Sequence, residues 1–154
     1  MSTFDSYFRG RKDLFKGLAI EKLEKDWTEY PVLHFDLSDI KKGTVEDFGE
    51  NVNSSLASME GEFGIAKTSD NPGTRLKDLV ERIYNKTGKQ VVLLFDEYDA
   101  PLLTVLHDPE RLETMRTELQ SFYSPIKKLD PYLRFVFITG ITKFSQLSIF
   151  SQLN

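Results

Sequence analysis

Three carboxylates fall within four residues at one point of the chain: Asp96, Glu97 and Asp99 in VVLLFDEYDAP, residues 91–101. An Asp followed by a Glu at the end of an apolar run suits the metal-and-water half of phosphoryl chemistry. The Asp can hold Mg²⁺ through water, because this hard cation prefers oxygen and keeps part of its hydration shell. The Glu can orient or deprotonate an attacking water. A plainer reading is an acidic turn left in water, and Asp99 before Ala-Pro has local reasons to sit in one. A third is a metal-dependent nuclease using all three acids. It requires a lysine two residues after a carboxylate, as in E-x-K, whereas Tyr98, Asp99 and Ala100 follow here, so it ranks last.

For such groups to act on one ligand, the backbone must bring other polar residues beside them. Val91–Phe95 is apolar throughout, as in a strand buried on both faces. PVLHFDLS, 31–38, reads as a strand opened by Pro31. LRFVFITG, 133–140, reads as a third. Asp36 and Ser38 close the first of these, and Thr139, Thr142 and Lys143 follow the last. Parallel sheets bind ligands just beyond the carboxyl ends of their strands. The three strands therefore deliver Asp36 and Ser38, Asp96 and Glu97, and Thr139, Thr142 and Lys143 to one rim, and this convergence outweighs any single residue.

Helical patterns fill the gaps between strands. Phe4, Tyr7 and Phe8 have helical spacing, and DLFKGLAIEKLEKDW carries a stripe of Leu14, Phe15, Leu18, Ile20, Leu23 and Trp27, read as one or two short helices on a core. Thr44 with Asp47 is a capping signal ahead of Val45, Phe48, Val52, Leu56, Met59 and Phe63. Residues 61–73 read as a surface loop ending in the turn cluster DNPG. Leu76, Leu79, Val80, Ile83 and Tyr84 follow, with Gly88 as the stop. Asp108-Pro109 is an N-cap followed by Pro at the first helical position. It opens a helix marked by Leu112, Met115, Leu119, Phe122, Tyr123 and Ile126. This alternation predicts an α/β fold: a parallel sheet of three core strands, right-handed crossovers and helices on both faces.

Composition narrows the function classes. The 154 residues suffice for one domain, and twelve Phe argue for a filled interior. The absence of cysteine excludes disulfides and thiolate metal sites, and two histidines are too few for a His-rich site. A net charge of −4 does not suit a generic polyanion binder. The local cluster Arg9, Arg11, Lys12 and Lys16 is read as a solvated helix face, so this segment is not expected to contact nucleic acid. No apolar run of membrane length and no signal peptide occurs, which points to a cytoplasmic protein with no membrane partner.

The phosphate-cradling loop that would complete such a site, G-x-x-x-x-G-K-[ST], is absent from this chain. None of its nine glycines fits; Gly88-Lys89 is followed by Gln90 and enters a strand instead of leaving one.

The blocks RKDLFKGLAI, WTEYPVLHFDLS, VVLLFDEYDAPLL, FYSPIK and FVFITGITKFSQLSIFSQLN resemble consecutive blocks of the AAA-ATPase-like family. These are bacterial P-loop proteins, often fused to a PD-(D/E)XK nuclease-like domain. The resemblance runs from about Phe4 to Asn154. It implies a partial P-loop NTPase fold of the AAA-like branch over 1–154, with the phosphate-loop strand and the later part of the domain lying in a longer parent. It also implies that Asp96 is similar to the family's Mg²⁺-coordinating acid, Glu97 to its water-activating acid and Thr139 to its sensor, with Lys143 within reach of phosphate; beside them, Asp36 and Asp99 are read as support for the rim. ATP and Mg²⁺ then belong to the parent ATPase, and this chain alone is expected to bind neither. A nucleic-acid partner, if there is one, also belongs to the parent. The alternative is a non-catalytic scaffold on a degenerate P-loop fold. Because the family's phosphate-loop strand lies beside the third strand, residues 133–139 are expected to form an open edge through which the chain dimerises or swaps, or where it captures its own tail.

Overall fold

The computed structural model describes residues 1–40 and 43–141. Three strands, β1 (Val32–Asp36), β2 (Val91–Asp96) and β3 (Leu133–Ile138), form one parallel sheet in the order β1-β2-β3. The strand with the longest apolar run is thus the central one. Asp36 pairs in register with Asp96, and Phe95 pairs with Ile138, so the three carboxyl ends finish level.

Side chains alternate across the sheet and define two cores. Leu33, Phe35, Leu93 and Phe95 share one face with Val136 and Ile138. It is covered by α3 (Val45–Phe63), α4 (Pro72–Thr87) and α6 (Pro109–Tyr123). Val32, Val92 and Leu94 share the other with Phe135 and Phe137, under Phe8 of α1 (Ser2–Phe8). On the first face Phe35 and Phe95 stack, ring centroids 5.0 Å apart, with Phe122 of α6 edge-on to both.

The long helices begin and end as their sequences dictate. The Thr44 hydroxyl accepts the Asp47 N–H at 3.1 Å, and Gly64 closes α3 in the left-handed conformation. In the DNPG cluster Asn71 is an N-cap rather than a turn residue: its side chain accepts the Thr74 N–H, with Pro72 at the first helical position. Asp108 caps α6 in the same way through the Arg111 N–H. Gly73 lies against the Ser121 carbonyl of α6, and a Cβ there would meet that oxygen.

Two expectations are corrected. The stripe through residues 14–27 does not pack on the core, since Leu14, Leu18 and Leu23 are 57%, 55% and 78% exposed. Phe15 is its fully buried member, set against Tyr7 and Trp27. The segment forms a 3-10 turn (Lys12–Phe15) and α2 (Ala19–Leu23), too short to sustain an apolar face. The last long helix ends as α at Tyr123, and Ser124–Tyr132 continues as 3-10 structure around Pro125 and Pro131, neither of which can donate a backbone hydrogen bond.

Candidate functional site

Alternation along β2 places Asp96 on the face covered by α1, level with Asp36 of β1. The β2–β3 ladder runs one residue past the strand, because the Thr139 N–H donates to the Phe95 carbonyl at 2.9 Å. Thr139 is thereby set beside Asp96, and its hydroxyl donates to Asp96 Oδ1. The Thr139 carbonyl in turn accepts the Tyr98 N–H at 2.9 Å. All three polar groups of Thr139 are engaged with the Phe95–Tyr98 segment, which fixes the side chain's place on the rim.

The chain leaves β2 through Glu97, whose φ of +55° lies in the left-handed region. That conformation costs a non-glycine residue about 1–2 kcal/mol. It breaks the alternation of β2, and the Ala100 N–H closes the turn on the Glu97 carbonyl at 2.9 Å. Asp96 and Glu97 remain half-buried.

Asp36 sits at the exposed end of β1. The Ser38 side chain and the Ser38 N–H (2.9 Å to Oδ1) hold its carboxyl below the usual range; burial opposes them and nearby His34 assists. Asp36 is therefore level with Asp96 while its own carboxylate closes a local turn. Its neighbour Leu37 ties the two strand ends together by donating its N–H to the Asp96 carbonyl at 3.1 Å.

Asp99 differs from its neighbours. It is fully buried, at the start of the short helix α5 (Ala100–Leu103), and its Oδ1 accepts the Ile141 N–H at 3.3 Å. An acidic turn left in water does not describe it. Beside it, burial and then the Asp99 charge push the Tyr98 phenol up to about 12. The Tyr123 phenol is raised further, by its own burial first and then by Tyr98 and Asp99. Thr142 and Lys143 lie outside the described residues.

Whether a divalent ion suits this rim follows from its donors. Asp96 Oδ2 takes no hydrogen bond among the described residues, and no group of three or more His, Asp or Glu among them could hold a metal. The residues therefore fit Mg²⁺ that brings its own water and phosphate oxygens, as that ion prefers, and not a metal caged by protein alone.

Tyr98, Gly140 and Ile141 were not singled out from the sequence. For Asp99 a signal existed: Asp followed by a Pro early in a helix marks an N-cap position, as at Asp108-Pro109. Here no side-chain cap hydrogen bond forms, and the carboxylate reaches Ile141 instead.

A sequence profile described as Predicted AAA-ATPase, AAA-ATPase-like, matches residues 1–150. This chain belongs to the AAA-ATPase-like family. An uncharacterized protein from the vnfD 5′ region of Azotobacter chroococcum mcd 1 is 34% identical over 155 aligned positions covering 100% of this chain. The chain spans 30% of that relative's length. No solved structure matches. In this AAA-ATPase-like chain the ends of β2 and β3 present Asp96, Glu97 and Thr139 at one rim, level with Asp36 of β1. Its basic cluster is not one helix face: Arg9 pairs with Asp5 and Glu62 at 2.9 and 2.8 Å and donates to the Val32 carbonyl on β1. No helix among the described residues is long and apolar enough to cross a membrane.

Proposed function

We propose that this chain is the acid-and-sensor part of a bacterial, cytoplasmic ATP-hydrolysing domain, whose phosphate loop G-x-x-x-x-G-K-[ST] is supplied by other residues of a longer protein. The observation that carries this reading is the Asp96–Thr139 hydrogen bond at a level parallel rim, with Glu97 next in the chain. Bound Mg²⁺ would neutralise charge on the phosphates, with Asp96 Oδ2 as the protein oxygen facing its water shell. Glu97 accepts the proton of the attacking water or orients it. Thr139 keeps Asp96 in one rotamer, and as a sensor it would turn its single O–H from Asp96 to the γ-phosphate. Asp36 and Asp99 support the rim, and the Lys143 ammonium is the cation offered to phosphate. Alone, the chain has neither the backbone cradle nor the lysine that position phosphate, so it turns over no ATP.

The test uses a longer protein that contains the phosphate loop. Glu97→Gln should lower kcat by 10²–10⁴-fold while ATP still binds. Unchanged turnover removes Glu97 from its role, and a longer protein that binds no ATP sinks the reading. In that case the scaffold reading, which the absent loop favours, stands in its place.

A further inference from the structure

The fully buried carboxylate of Asp99 lies outside the proposed chemistry, and it is the anchor of a contact with the end of β3. Oδ1 accepts the Ile141 N–H at 3.3 Å. Between Thr139 and Ile141, Gly140 passes so close that a Cβ built on it would collide with Asp99 Oδ1 and with the Tyr98 ring. One residue earlier, the Thr139 carbonyl accepts the Tyr98 N–H at 2.9 Å. Tyr98 and Asp99 are both fully buried, although Ile141 itself is 78% exposed. The exposed end of β3 is thus held down from inside by the turn that follows Glu97.

We propose that Asp99 is a positioning residue: by holding Gly140 and Ile141 against Tyr98, it fixes the Thr139 hydroxyl on Asp96. A surface strand end would otherwise fray, since terminal ladder bonds open at low cost. A buried carboxylate that loses a donor is penalised more than a neutral acceptor, so the Ile141 amide and the turn are coupled. Gly140 is the residue that permits the approach, and any side chain there would push the strand end away from Asp96. The consequence for catalysis rests on the ATPase reading above; the positioning of Thr139 does not.

The experiment is amide hydrogen exchange on the 154-residue chain and its variants. Ile141→Pro deletes this one N–H···Oδ1 contact at an exposed position and leaves the Asp99 side chain and the core residues unchanged. Exchange at the Tyr98 and Thr139 amides should accelerate at least about tenfold, while the amides of Val92–Leu94 keep their wild-type protection. Asp99→Ala should do the same, and Asp99→Asn, whose amide oxygen can still accept, should restore most of the protection. Unchanged exchange at Tyr98 and Thr139 in Ile141→Pro overturns the proposal. So does Asp99→Ala that loosens all amides equally with Ile141→Pro silent, which would make Asp99 a contributor to global stability only. In the longer protein, Ile141→Pro should lower kcat with nucleotide Kd unchanged. A longer protein that binds no nucleotide defeats the ATPase reading and leaves the exchange result to judge Asp99.

Discussion

Asp96, Glu97 and Asp99 are adjacent in the chain and occupy three different environments. Asp96 is half-buried and hydrogen-bonded on one oxygen, Glu97 is in a left-handed turn, and Asp99 is sealed in the interior. The turn at Glu97 is what separates them: a regular strand would have sent Asp96 and Asp99 to opposite faces of the sheet, both at its rim. Tyr98 and Tyr123 surround Asp99 and carry the pH dependence of this region. Both phenols titrate higher in the folded protein than in the unfolded chain. Stability is therefore fully present below about pH 10, where even the unfolded tyrosines are protonated. It is lost as pH rises toward 12, because the unfolded chain releases protons that the folded one retains. Each such tyrosine contributes a slope of about 1.4 kcal/mol per pH unit across that window. Urea unfolding measured from pH 9 to 12 should show this decline, and Tyr98→Phe should make it shallower. An identical slope in that variant would show that Tyr98 ionises as easily folded as unfolded.

Between elements, α3 and α4 share a buried ion pair beside their common apolar core. The Arg75 guanidinium donates Nε and Nη2 to the two oxygens of Glu60, both at 2.6 Å, and Nη1 to Asn53 Oδ1 at 2.8 Å. Both partners are nearly inaccessible. An ion pair in that setting contributes little net stability, yet removal of one member leaves a bare charge in the interior. Glu60→Ala should therefore cost about 3–5 kcal/mol in urea unfolding, and Glu60→Leu combined with Arg75→Met should recover most of it. A loss below about 1 kcal/mol for Glu60→Ala would mean that water reaches Arg75. The stripes of α3, α4 and α6 were legible in the sequence because one face of each meets a flat sheet. The residue 14–27 stripe misled because its apolar spacing has no element long enough to present it. Arg75 could not be recognised as a core residue, since charge at a position beside Leu76 reads as solvent-facing until its partner is known.

At the scale of the molecule, the two edges of the sheet are unlike. The β1 edge is guarded by Arg9, which donates to the Val32 carbonyl, and by α3, whose Ser54, Ser55 and Ser58 line a cavity of about 370 Å³ with His34. Among the described residues β3 pairs only with β2. Phe135, Val136, Phe137 and Ile138 are only half-buried, and the groove beside them carries Lys127, Asp130 and Arg134. Charges of both signs along one edge complement themselves across a two-fold axis. We propose that in the longer protein this edge receives the phosphate-loop strand, and that in the 154-residue chain it pairs with a second copy. Sedimentation velocity should show a dimer that dissociates when Val136 is replaced by Lys or Pro. A clean monomer at tens of micromolar, with β3 amides exchanging freely, would refute the pairing.

The sequence alone determined the three strands, the long helices between them and their order. Hydrophobic period, capping residues and strand-end acids are local properties, and so the three parallel strands and the helix starts at Thr44 and Asp108 could be read without coordinates. It also determined that no phosphate loop lies in this chain. Only the tertiary structure decided which oxygen meets which donor. Thr139 and Asp96 are 43 positions apart, and Asp99 and Ile141 are 42 apart. Their contacts follow from the parallel register of β2 and β3 and from one left-handed residue at Glu97. A residue's type and its neighbours in sequence do not encode the register, because a register is fixed by the packing of whole faces; that packing drew Asp99 inward and left Asp96 on the rim.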